Sequence, residues 1–217
     1  MTDFLYPFID ADERDAGPLL EDLAASAAAK ASDTLSLRAA TRASVGASLR
    51  RLADDMADRF TAGGRLLTFG NGGSATDAAS AAALFRAPPG DDAGPSRPLP
   101  ARSLVADEAV LTALANDVGF ELVFSRQVIA HGRATDIALG VSTSGNSANV
   151  VRALAEARSR GMLTVGFAGY DGGEMAGAGL HHCIVVPSSS VHRIQETQAA
   201  LLYDLWQEVQ ARVGQAA

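Results

Sequence analysis

Five short strand-like runs, at residues 66–69, 102–105, 137–141, 163–167 and 183–186, each end in a turn rich in glycine, serine or aspartate, with helical patterns between them. Such alternation predicts a parallel sheet with helices on both faces, because a parallel strand reaches its neighbour only through a crossover, and the crossover covers a face. Ligands of such sheets bind at the carboxyl ends of the strands. The serine-bearing turns at Ser74, Ser142 to Ser147 and Ser188 to Ser190 all fall on that edge. Ahead of the sheet, residues 16–62 read as two helices. Leu19, Leu20, Leu23 and Ala27 mark one face, and Val45, Leu49, Leu52, Met56 and Phe60 mark another, before the stop at Gly63-Gly64. Helices with apolar faces and no sheet of their own pack on the following domain, on a second subunit, or on both.

With 217 residues, 47% apolar and 20% charged, the chain has enough material for one sizeable core. A formal net charge of -7 disfavours direct contact with nucleic acid or an anionic membrane. One cysteine, Cys183, excludes an internal disulfide framework and fits a cytoplasmic setting. The start of the chain has no positive flank and carries Pro7, Asp10, Asp12 and Glu13, so it does not read as a signal peptide. No apolar run is long enough for a membrane span.

Chemistry concentrates in Ser142-Thr143-Ser144-Gly145-Asn146-Ser147, between a buried strand and a helix. Hydroxyls and backbone N–H groups converging there suit an anion, and the absence of a lysine after the glycine excludes the nucleotide-hydrolase loop. A neutral cradle fits a sugar phosphate, with an ordinary polar connection as the alternative. Gly70-Asn71-Gly72-Gly73-Ser74-Ala75 also satisfies the dinucleotide pattern G-x-G-x-x-[GA]. That pattern needs an acid ending the next strand, whereas Asp91 and Asp92 lie in a proline- and glycine-rich stretch at 88–95 that reads as exposed loop. A bound cofactor is therefore not expected.

Four segments carry a resemblance: Gly70-Asn71-Gly72-Gly73-Ser74, Leu114-Ala115-Asn116-Asp117, Ser142 through Val150, and Arg193-Ile194-Gln195-Glu196. Together they resemble the sugar isomerase (SIS) domain, in its phosphoheptose isomerase branch. The resemblance implies an α/β three-layer sandwich with a five-stranded parallel sheet. It also implies an SIS domain over 41–217 behind an N-terminal helical extension at 1–40, and a homotetramer with sites between subunits. Ser142, Thr143, Ser144 and Ser147 are the implied phosphate ligands, and Asn71 and Ser74 face the sugar. Asn116, Asp117 and Gln195 belong to the same implied ligand set.

The chain departs from the family where protons move. Aldose-ketose isomerisation through an enediol needs a base at carbon and an acid-base partner at oxygen. The resembling isomerases use a glutamate and a histidine, and hold zinc with these two, a second histidine and a glutamine. The matching positions here are Leu84, Tyr203, Ser80 and the retained Gln195, while His192 replaces an aspartate. No metal is expected from such a set. His192 and Glu196 are the candidate catalytic residues. Asp107 reads as a helix N-cap, Asp117 as part of a turn and Glu174 as a solvated acid. His181 and His182, adjacent on a strand, point apart and make no ligand set. Three functions follow: a phosphosugar-binding sensor or regulator without isomerase activity, an active isomerase with a rearranged site, or an adaptor that binds a protein partner, as in a branch associated with a replication initiator.

Overall fold

The computed structural model describes residues 17–89 and 96–215, so most of the 88–95 loop and the N-terminal stretch lie outside the described residues. Residues 17–36 form one compact unit within 1–36, and Leu37–Ala217 form the second. The helix α1 runs unbroken over Gly17–Thr61, which corrects the expectation of two helices. Gly46 alone interrupts its composition after Pro18, and a single glycine costs only about 1 kcal/mol against alanine. The change of apolar face reflects a change of surroundings. Leu20 and Leu23 are exposed, whereas Leu52, Ala53 and Met56 are fully buried.

The sheet has five parallel strands in the order β2-β1-β3-β4-β5. They are β1 (Leu66–Gly70), β2 (Ala101–Ser103), β3 (Ile137–Ser142), β4 (Leu163–Gly169) and β5 (His182–Val186). The connecting helices are α2 (Gly73–Arg86), α3 (Glu108–Asp117), α4 (Val123–His131), α5 (Ala148–Ser159), the one-turn α6 (Gly173–Gly177) and the terminal α7 (Val191–Gln215). Expected strands and helices recur within a few residues. The addition is α6, in a segment that reads as a turn.

Every residue of β1, β3 and β4 is buried, as a strand covered on both faces requires. Alternate side chains feed two cores. Leu66, Ile137, Leu139, Val165 and Phe167 join the second half of α1, α2 and α7. Leu67, Phe69 and Ala138 join α4 and α5. This is the expected three-layer α/β sandwich.

Strand order fixes where a ligand can enter. From β1 the chain passes through α2 to β2 on one side, and from β3 it passes through α5 to β4 on the other. The two helices therefore cover opposite faces, and the carboxyl ends of β1 and β3 form the switch point at which sheets of this kind bind ligands. At the opposite edge, the buried carboxylate of Asp136 fixes the register. It accepts from the Arg65 backbone N–H (2.9 Å), the Arg65 guanidinium (2.9 Å) and the Arg133 N–H (3.1 Å). Removing one member of a buried pair costs about 3–5 kcal/mol because the other is left uncompensated. Arg65 retains partial solvent access, so Asp136→Ala is expected to cost about 3 kcal/mol, read as a fall in the denaturant midpoint at constant m-value.

Candidate functional site

At the carboxyl end of β3 the chain makes a tight hydroxyl-lined turn. Ser142 is buried, and its Oγ lies 2.9 Å from Ser147 Oγ and 3.5 Å from Ser144 Oγ. Ser144 Oγ in turn accepts from the Asn146 N–H at 3.1 Å. Ser147 is the N-cap of α5, yet its side chain makes no capping bond and turns to Ser142 instead. The first N–H groups of α5 thus lack a side-chain acceptor, and a helix start in that state favours an anion. The resulting cradle gathers three serine hydroxyls at a positive helix end without a cationic side chain in the loop.

The loop after β4 holds this turn in place. Gly145 adopts φ +67°, and a Cβ there would stand 2.0 Å from the Gly172 carbonyl oxygen, so the close approach demands glycine. The Gly145 carbonyl accepts from the Met175 N–H at 3.0 Å, and Asn146 Oδ1 accepts from the Glu174 N–H at 2.8 Å. At the switch point, Asn71 after β1 and Asn149 in the first turn of α5 exchange two amide hydrogen bonds, at 2.8 and 3.0 Å. This clasp joins the two strand ends on which the implied ligand residues sit. Its second partner, Asn149, is buried and was not singled out by sequence reasoning, although it lies inside the Ser142 to Val150 motif.

The α2 start lies close to Gln195. A Cβ on Gly73 would meet Gln195 Nε2 at 2.2 Å, so the Gln195 amide lies over the glycine. Ser74 is buried beside it in sequence. The structure therefore brings Gln195 to the Asn71 to Ser74 turn, and the Asn71–Asn149 clasp ties that turn to α5. Among the other implied residues, Thr143 is half-buried and its carbonyl accepts from the Gly169 N–H at 2.9 Å. Asn116 and Asp117 end α3, are exposed, and bond to each other at 2.8 Å. His192 and Glu196 are exposed on α7, and the Glu196 carbonyl accepts from Arg38 at 3.1 Å.

Leu84, Tyr203 and Ser80 stand where the resembling isomerases carry a glutamate and two histidines. Leu84 packs against the core shared by α1, α2 and α7. Tyr203 sets its ring 5.3 Å from that of Trp206, tilted by 39°. Ser80 is exposed. Zinc takes thiolate, imidazole or carboxylate donors, and a set of leucine, serine, tyrosine and one amide does not fit it. His181 and His182 go to separate partners. His181 Nδ1 meets the Thr164 N–H at 3.1 Å and Thr164 Oγ at 2.8 Å, and desolvation with the nearby Arg59 lowers its pKa. His182 Nε2 lies 2.6 Å from Asp55 Oδ2. Asp107 caps α3 by accepting from the Val110 N–H at 3.0 Å, as its sequence context predicts.

Sequence reasoning missed Asp77. It is the only acid on α2, three residues after Ser74, and it is half-buried with Oδ2 enclosed and without a hydrogen-bond partner. Desolvation raises its pKa to about 6. Its position alone, one turn beyond the first serine turn, was the available signal. A cavity of about 470 Å³ adjoins the Asn71 turn, between Asn71 and Thr76 on one side and Val105, Leu111 and Phe120 on the other. Its mostly carbon lining makes it the poorer place for a polyol, whose hydroxyls need partners when buried.

A doubly covered parallel sheet with a hydroxyl-lined turn at its switch point defines a three-layer α/β protein of the SIS type. Residues 29–169 match the model of the SIS domain, and the chain belongs to the SIS domain family, in its phosphoheptose isomerase branch. It is 43% identical over 175 residues to a phosphoheptose isomerase of Paramagnetospirillum magneticum, covering 80% of this chain and 88% of that one. It is 48% identical over 169 residues to one from Desulfovibrio desulfuricans, covering 77% and 78%. The solved phosphoheptose isomerase of Neisseria gonorrhoeae superposes with a TM-score of 0.80 at 34% identity, over 87% of this chain and 99% of that one.

Gly145→Ala is expected to keep the fold and spoil the cradle. The left-handed conformation alone costs an alanine about 1–2 kcal/mol, and the Gly172 contact pushes the loop out of place. Affinity for a sugar phosphate, measured by titration calorimetry, should fall by about tenfold or more, the equivalent of about 1.4 kcal/mol.

Proposed function

We propose that this protein is a phosphosugar isomerase with a rearranged site, which seats the phosphate of a ketose or aldose phosphate on the Ser142 to Ser147 loop and interconverts the two forms. The observation that carries the reading is the cradle itself, with Ser142, Ser144 and Ser147 converging at an α5 start left without a side-chain cap. The relatives named as phosphoheptose isomerases support a seven-carbon substrate, sedoheptulose 7-phosphate. Phosphate binding fixes one end of the sugar, and the carbonyl end extends toward Asn71, Ser74 and Gln195. There an enediol forms when a base takes the carbon-bound proton and returns it to the neighbouring carbon.

A second reading is binding without turnover, as a sensor or regulator. It draws on one observation, that Leu84 has no atom able to accept a proton and Tyr203 is packed on Trp206. The names of the relatives favour the first reading. Assembly as a homotetramer is part of the same proposal, supported by Leu19, Leu20 and Leu23, which leave an apolar stripe of α1 exposed. No helix among the described residues is long and apolar enough to cross a membrane, and the lone thiol Cys183 fits a cytoplasmic setting.

Incubation of the full chain with sedoheptulose 7-phosphate, followed by carbon and phosphorus NMR, separates the readings. Conversion to the aldose phosphate is the expected result, and Ser142→Ala should weaken binding by about tenfold, the loss of one hydrogen bond to a charged group. Saturable binding without conversion would establish the second reading instead. No binding of any pentose, hexose or heptose phosphate would overturn both.

A further inference from the structure

Among the described residues, Asp77 is the one carboxylate with an enclosed oxygen that no hydrogen-bond donor reaches. Its Oδ2 is enclosed without a hydrogen-bond donor, which is costly for a carboxylate. Desolvation is the cause of its raised pKa. Arg102 on β2 and the titratable and charged side chains of α7, from His192 to Arg212, lie on elements packed against α2. None of them is a cause of the shift. Asp136 and Asp107, by contrast, each accept from donors of this chain, Asp136 from Arg65 and Asp107 from a helix N–H.

Its placement gives the carboxylate a use. At about 100° per residue, Gly73, Asp77, Ser80 and Leu84 share one stripe of α2. Gly73 on that stripe lies against Gln195, so the stripe faces the start of α7. Ser80 and Leu84 are the positions where the resembling isomerases carry their histidine and their base. Asp77 lies three residues from Ser74, about 4.5 Å along the axis, whereas Leu84 lies ten residues, about 15 Å, away. The only acid of α2 is therefore on the stripe that lost its base, near the serine expected to face the sugar.

We propose that Asp77 is the catalytic base of the isomerisation. This rests on the isomerase reading above. The carboxylate of Asp77 takes the proton from the carbon next to the carbonyl, and the C–H electron pair becomes the enediolate double bond. The protonated acid then gives the proton to the neighbouring carbon. Hydroxyl and carbonyl oxygens exchange one proton, so the step neither gains nor loses atoms or electrons. A carboxyl poised near 6 is ionised enough to accept at neutral pH and still basic enough to be effective.

The test compares wild type, Asp77→Asn and Asp77→Glu, in full-length protein with sedoheptulose 7-phosphate. It reads turnover, uptake of solvent deuterium at the carbons beside the carbonyl, and ligand affinity. Wild type should exchange and turn over, with kcat/KM rising through an apparent pKa near 6. Asp77→Asn should lose at least about a hundredfold in kcat and in deuterium uptake, as removal of a general base does. Its affinity should change by less than about threefold, and Asp77→Glu should recover part of the rate.

A folding readout guards against a merely structural role. The folded pKa of Asp77 is raised, so its ionisation costs stability as pH rises through about 6, and Asp77→Asn should raise the unfolding midpoint at pH 8 but not at pH 4. An active wild type whose Asp77→Asn variant keeps its kcat and deuterium uptake would overturn the assignment alone. So would an Asp77→Asn variant that loses activity together with affinity and stability. A wild type that binds the sugar phosphate but shows neither turnover nor exchange would overturn the isomerase reading, and the assignment with it.

Discussion

A parallel sheet must have both faces covered, and the placement of every helix here follows from that need. With order β2-β1-β3-β4-β5, coverage requires the connection after β1 and the connection after β3 to swing to opposite sides. Two helices then begin at adjacent strand ends and diverge. The Asn71–Asn149 amide pair closes that divergence, because each asparagine satisfies the other at the one place where α2 and α5 start side by side. Core packing below the switch point is tight. Gly140 in β3 could not gain a Cβ without meeting Val150 at 2.8 Å and Leu154 and Phe69 at 3.1 Å.

A cradle without cationic side chains has a physical consequence for selectivity. Hydroxyls and N–H dipoles at a helix start stabilise an anion by orientation, and they are worth little unless they are already aimed. The alignment here is set by the contacts of Gly145 with Gly172 and of Asn146 with the α6 start. Such a site suits a phosphate monoester on a neutral polyol. A triphosphate, with several more charges, would need counter-ions that the loop does not carry.

Much of this was legible in the residues. The strand-helix alternation fixed the parallel sheet, and the glycine and serine turns marked its carboxyl edge. The N-cap role of Asp107 and the divergence of His181 and His182 followed from spacing. The single helix α1 was misread as two, because a change of apolar face looks the same whether the chain breaks or its surroundings change. Asp77 was passed over for a related reason. Its lack of a donor is a property of neighbours brought in from other elements, and no spacing rule reports what is missing.

Local periodicity and the residue types of single turns were enough to give the class of fold, the edge where the glycine and serine turns gather and the neutral, hydroxyl-rich character of the Ser142 to Ser147 turn. The structure alone decided that Ser147 leaves its own helix uncapped to bond Ser142, that Gln195 lies over Gly73, and that α2 has an enclosed carboxylate without a partner. Each of these joins or isolates groups by packing. Packing is set by segments far apart in the chain, and local pattern carries no record of that distance.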